Sequence, residues 1–298
     1  TVYNCSDGSG TAPNQRVNWV EVDGDDIEGD LPADTRLEIV NTFNSSWRSG
    51  TFWVTEGAEN VQNLAHIIEG ESSTIGTTVT VDGYSGGKVQ EVSWSGTSET
   101  KLYSWDLSTQ FLNACAGNYF RTILVFSSPM SYYDLWLRAR IKMSLTTLWE
   151  SPSVLMRNGL RLQEFISLRL PPYLVGAGDL YPLTLELYAK RNVNESHGLS
   201  IDFMQLSPLD GWRRLNPVGY NLAYQTRLVD DGTEGLLYTD GWTPAGKTGH
   251  YVGFGHAIQL QPGRRQRLYF LWTNDTGGGE AARTIAVKLF YRPRRMTL

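Results

Sequence analysis

The sequence predicts an all-β protein: a jelly-roll-like double-sheet sandwich followed by a smaller β-sandwich or β module. Three observations lead there. Short runs rich in Val, Ile, Thr and aromatic residues recur along the chain, many alternating apolar and polar residues as half-buried strands do. Turn clusters separate them: DGYSGG from Asp82, GAGDLYP from Gly176, VDDGTEG from Val229 and NDTGGGE from Asn274. Helical periodicity is thin. Only Gln62–Ile68 and Ser108–Ala116 fit short helices, the second behind a cap at Asp106–Ser108.

In chain order, LEIVNTF (Leu37–Phe43) and GTFWVT (Gly50–Thr55) open the series. TTVTVD (Thr77–Asp82) and KVQEVSW (Lys88–Trp94) flank a turn. YFRTILVF (Tyr119–Phe126) is apolar over its second half. In DLWLRARIK (Asp134–Lys142), Leu135, Leu137 and Ala139 alternate with Trp136, Arg138 and Arg140, so one face is aliphatic and the other aromatic and cationic. Leu160–Leu170 stops at Pro171–Pro172, which cannot donate to a ladder. Leu183–Ala189, Leu199–Leu206, Tyr251–Leu260, Gln266–Trp272 and Thr284–Tyr291 complete the strands.

Composition narrows the class. Residues are 41% hydrophobic and only 19% charged, the balance of a folded chain. No apolar run reaches the ~20 residues of a membrane helix. A net charge of −5 disfavours general nucleic-acid binding. Two cysteines make neither a disulfide scaffold nor a structural zinc site, though Cys5 and Cys115 could pair in an oxidising setting. Sequons at Asn4, Asn44, Asn194 and Asn274 are no more than such a composition produces by accident. A soft boundary lies near Ser207–Trp212, with an alternative cut near Asn158.

Three segments resemble jelly-roll modules of the carbohydrate-binding-module type. They are GDLPADTR (Gly29–Arg36) before LEIVN, AGNYFRTILVF (Ala116–Phe126) and LSIDFMQLSP (Leu199–Pro208). This resemblance favours the later cut, which implies an N-terminal arm over 1–19, a jelly roll over 20–210 and a C-terminal β module with a basic edge over 211–298. LVDDGTEGLLYTDG (Leu228–Gly241), LQPGRRQRLYFLW (Leu260–Trp272) and VKLFYRPRR (Val287–Arg295) resemble stretches of tailed-bacteriophage virion proteins. The resemblance implies a tail, baseplate or capsid-surface component of a virion, with secretion as the alternative location. Its partners would be copies of itself, other virion proteins and a host-surface glycan.

Candidate residues follow from residue type. Arg264, Arg265, Arg267, Arg292, Arg294 and Arg295 form a basic edge in an acidic chain, suited to an oligomer or partner interface. Acidic loops Asp23–Asp34 and Asp230–Asp231 are the expected complement on a neighbour. Trp47, Trp53 and Trp94, among Ser and Gly, are candidate glycan contacts. No cofactor is expected except calcium, for which Asp25, Asp26 and Asp30 are the first ligands; the run lacks the EF-hand register. Gly83–Gly87 matches G-x-S-x-G, but strands on both sides make it a hairpin turn rather than a nucleophile elbow. Glu164, Glu186 and Asp202 are carboxylates for a less favoured glycosidase reading. His197, His250 and His256 lack ligand spacing; the last two would lie about 20 Å apart along a strand. No enzyme activity is expected.

Overall fold

The structure, a computed structural model, describes residues 2–4, 18–42, 46–58, 67–81, 84–107, 118–170, 183–217, 220–239, 251–274 and 285–296. Cys5, Cys115, His250 and the Ser108–Ala116 helix candidate lie outside these residues. In the other candidate, the described part, Ile67–Ile68, is strand.

Four strands come first: β1 (Val2–Asn4), β2 (Asn18–Val22), β3 (Ala33–Asn41) and β4 (Trp47–Ala58). Next come β5 (Ile67–Glu69), β6 (Thr77–Thr80), β7 (Lys88–Ser95), β8 (Thr100–Leu107), β9 (Tyr119–Phe126), β10 (Trp136–Met143), β11 (Thr146–Glu150), β12 (Val154–Leu155), β13 (Leu162–Arg169), β14 (Leu183–Lys190) and β15 (Ser196–Pro208). The chain ends with β16 (Trp212–Asn216), β17 (Asn221–Leu222), β18 (Arg227–Asp231), β19 (Leu236–Thr239), β20 (Val252–Gly255), β21 (Gln259–Leu260), β22 (Gln266–Asn274) and β23 (Ile285–Tyr291).

These strands make two compact units. Asn60–Pro208 is one; Thr1–Glu59 together with Leu209–Leu298 is the other. One division falls at Pro208, and the strands of residues 20–210 are shared between the two units. The first strands pair with the last: β3 with β23 and β18, β4 with β22 and β16. Of the expected arm over 1–19, the described residues belong to the sheets: Val2–Asn4 pairs with β23, and β2, which starts at Asn18, pairs with β22. The segments resembling one carbohydrate-binding module therefore come from two units: β3 from one, β9 and β15 from the other.

Both units are jelly rolls. With its eight main strands numbered along the chain, a jelly roll has sheets in the order 1-8-3-6 and 2-7-4-5, two Greek keys folded together. The inserted unit gives β7-β15-β9-β13 and β8-β14-β10-β11, with β6 extending the first sheet beyond β7. The split unit gives β1-β23-β3-β18 and β2-β22-β4-β16, extended by β19 and β20. One complete roll is thus inserted between the fourth and fifth strands of another. Those strands, β4 and β16, pair antiparallel with Trp212 opposite Thr55.

Alternation produces the cores. Along β10, Leu137, Ala139 and Ile141 enter the core while Arg138 and Arg140 face outward, as the sequence predicts. Burying each such leucine or isoleucine contributes roughly 1.5–3 kcal/mol. Leu102, Leu124, Phe126, Leu185, Leu187 and Met204 belong to the same core, drawn from both sheets of the inserted roll. The split roll buries Ile39, Phe52, Val54, Leu215, Leu228, Leu268, Phe270 and Val287 in its own. Arg213 on β16 grips Asp230 on β18 through two hydrogen bonds of 2.9 and 2.6 Å, joining the two sheets at that end. Asp230 is therefore buried inside the roll, not offered to a neighbour.

Candidate functional site

The basic edge and the acidic loop meet within one chain, at a corner of the split roll. Gly24–Asp26 forms a 3-10 turn after β2, and the Asp23 side chain caps it by accepting the Asp25 N–H. The turn lies on the segment leading into β22: Gly263 N–H donates to the Gly24 carbonyl, and a Cβ on Gly24 would collide with the Arg264 backbone. Past β23 the chain returns to the same loop. Asp30 N–H donates to the Arg294 carbonyl at 2.8 Å, and the Asp30 carboxylate accepts the Met296 N–H at 3.3 Å. The Tyr291 hydroxyl accepts the Glu28 N–H at 2.8 Å.

The arginines divide by role. Arg267 lies over the Trp19 ring at 4.3 Å and bonds Glu21 at 3.0 Å, so it fixes the edge strand β2 to β22. Arg265 reaches the other Glu21 oxygen at 3.5 Å. Arg264 bonds Gln261, and Arg294 bonds the Pro32 carbonyl. Arg264, Arg265, Arg292, Arg294 and Arg295 remain exposed. Asp25, Asp26 and Asp30 share this loop, yet no three His, Cys, Asp or Glu side chains gather around a metal position among the described residues.

The inserted roll carries a second polar assembly, where the connections β7–β8, β9–β10, β12–β13 and β14–β15 come together. Arg191 is its centre. Its Nε donates to Asp134 at 2.7 Å, its guanidinium lies over the Tyr132 ring at 4.1 Å, and its Nη1 donates to His197 Nδ1 at 2.9 Å. That bond leaves the imidazole proton on Nε2, which donates to the Val193 carbonyl at 3.0 Å. Asp134 also accepts the Asn192 N–H. Burial works to raise the Asp134 pKa, but the Asn192 amide and Arg191 outweigh it and hold the carboxyl below its usual range. The Tyr132 hydroxyl both donates to the Gly198 carbonyl and accepts its N–H, each at 2.9 Å. Trp94 packs on His197 with ring centroids 5.1 Å apart.

A third group lies further along β15. Ser85 donates through its hydroxyl to Glu69 at 2.7 Å and through its N–H to Asp202 at 2.9 Å. Burial pushes the Glu69 pKa up to about 7, with the Ser85 bond opposing and the Glu71 charge assisting. Ser85 sits in a 3-10 turn between the antiparallel strands β6 and β7, so Gly83–Gly87 spans a hairpin, as expected. Asp202 is fully buried at a break in the β15–β9 register, where it is the extra residue of a bulge. Glu186 lies on the other sheet, bonded by Lys101 at 2.9 Å and Tyr188 at 2.6 Å, and Glu164 lies on β13. The glycosidase candidates thus do not share one face.

The tryptophan candidates fare differently from expectation. Trp94 and Trp53 are buried, so neither offers a ring face to a glycan; the Trp47 side chain lies outside the described part. On β7, Ser93 and Ser95 form the wet face and Trp94 the dry one. Exposed aromatic rings lie elsewhere, at Tyr119, Tyr133, Trp136, Tyr224, Phe254 and Phe290. Alternation within DLWLRARIK already placed Trp136 outward. His197 is a packed structural residue and His256 is exposed.

No family model and no curated protein matches this chain. Among solved structures, it is similar to the infectious bursal disease virus VP2 subviral particle at 10% identity, over 98% of this chain and 79% of that one, with a TM-score of 0.24. It is similar to a protein described as secreted from Parabacteroides distasonis at 11% identity, over 81% and 98%, also with a TM-score of 0.24. Similarity at that level carries no functional information.

Proposed function

We propose that the protein is a structural virion component of the tail, baseplate or capsid surface, which self-assembles through the basic corner of its split roll. It is a non-catalytic part of an extracellular particle on this reading. The observation that carries it is the nesting of two complete jelly rolls, with an exposed arginine-rich edge on the split one. Jelly rolls serve as shell and lectin domains alike, so the fold alone does not select the task. The exposed guanidiniums and the resemblance of the C-terminal segments to phage virion proteins favour assembly. Electrostatic edges of this kind set partner choice and register.

The test is solution mass by light scattering across protein concentration and salt, with imaging of the same sample. Rings, shells or filaments that weaken with salt are expected. Arg264, Arg292 and Arg295 changed together to Ser should reduce assembly at least tenfold while leaving thermal unfolding unchanged. Arg267 is left in place because its loss would also free β2. A monomer at every concentration overturns the reading.

A further inference from the structure

Among the large apolar side chains left exposed in the inserted roll, Tyr119, Leu145 and Leu148 stand apart from a group of four. Tyr133 is 80% exposed, Leu155 44%, Val193 38% and Trp136 37%. Topology brings these four to one end. Trp136 opens β10, with Leu155 on β12 opposite it on one side and Lys190 on β14 on the other. Tyr133 precedes Asp134, and Val193 follows Asn192. Asp134 binds both Arg191 and the Asn192 N–H, which ties the two connections together.

We propose that this end of the inserted roll is a saccharide-binding surface, on which Trp136 and Tyr133 stack against sugar rings while Lys190 and Asn192 take hydroxyl or acid groups. Sugar C–H bonds carry partial positive charge, and the face of an aromatic ring is negative. A ring that lies open among polar neighbours suits such a ligand. A stable protein partner needs ~800 Å² per side with a dry apolar centre; here Lys190, Asn192 and Asn194, all exposed, interleave with the apolar side chains.

Rigidity is the second support. The connections are held by the Arg191–Asp134 pair, by the His197 bonds on either ring nitrogen and by the double Tyr132–Gly198 contact. A loop ordered before binding spares the ligand that cost. Keeping a buried arginine there is expensive unless it positions something. Trp94 Nε1, in the same cluster, is buried without a hydrogen-bond partner among the described residues.

This surface does not depend on the assembly reading, since it lies on the other roll. The full chain is applied to immobilised neutral, sialylated and sulfated oligosaccharides, and the strongest is titrated against tryptophan fluorescence. Binding is expected, with W136A and Y133A each weakening it at least tenfold. L145S, at the β10–β11 turn, should bind as the parent does, because Leu145 is 91% exposed at the opposite end of β10. Light scattering on W136A should match the parent, which separates this proposal from assembly. If no saccharide binds at millimolar concentration, or if W136A and L145S behave alike, the proposal fails. W136F, which keeps a ring, should restore part of the affinity and so distinguish stacking from a folding defect.

Discussion

Glu69 shows how one side chain can set a pH response. Its carboxyl is raised to about 7 in the folded protein, mainly by burial, against 4.5 without that environment. The folded state therefore holds a proton that the unfolded chain releases between those values. Stability from this group is complete below pH 4.5 and falls as pH rises to 7, by roughly 3 kcal/mol at most. Glu150 and Glu186 act oppositely. The Arg140 hydrogen bond lowers the Glu150 pKa. For Glu186, burial is outweighed by Tyr188 and Lys101. Their contributions persist above pH 4.5 and are lost as pH falls through the lowered values. The two windows do not overlap. Denaturant unfolding of E69Q should lose most of the decline between pH 4.5 and 7, the remainder belonging to Glu71, which burial also raises, and should keep the acid-side loss. A decline unchanged in E69Q would remove Glu69 from the explanation.

At the scale of elements, the β10–β11 hairpin is informative. Its two-residue turn puts Ser144 at φ 54°, a conformation that suits glycine. Holding an L-residue there costs about 1–2 kcal/mol, and glycine would lose about 0.5–1 kcal/mol in chain entropy. The first outweighs the second, so S144G should stabilise by about 0.5 kcal/mol and S144V should destabilise, read as shifts in the denaturant midpoint. Leu148 is the extra residue of a bulge in β11, between partners of Ile141 and Lys142, and this aims it into solvent. Strands such as β9 and β14 were legible because their apolar spacing is local. Trp94 was not: serine on either side suggests a loop, yet small polar residues also populate the wet face of a strand. Asp202 was illegible for another reason, because a bulge interrupts the alternation that would assign its face.

Scale also explains what the whole sequence conceals. The all-β class can be read from pattern and turn chemistry. The return of the last ninety or so residues to pair with β1–β4 cannot, because pairing partners leave no local mark. The charged corner was illegible in the same way. Arg294 and Asp30 stand far apart in sequence, and only the roll's closure joins them. Each unit buries its own core. Residues 60–208 expressed alone should therefore fold cooperatively, with native-like circular dichroism and a single unfolding transition, and the full chain should show two transitions in calorimetry. A fragment without a cooperative transition would show that the inserted roll needs its host.

The nesting also fixes an order of events during synthesis. Strands β1–β4 leave the ribosome about 150 residues before the first of their later partners, β16. At translation speeds of about 5–20 residues per second the delay is on the order of ten to thirty seconds. The inserted roll can complete its sheets in that time, whereas β3 and β4 wait with apolar faces and unpaired edges in water. Nascent chains stalled just after β15 should consequently be the species that chaperones hold most tightly.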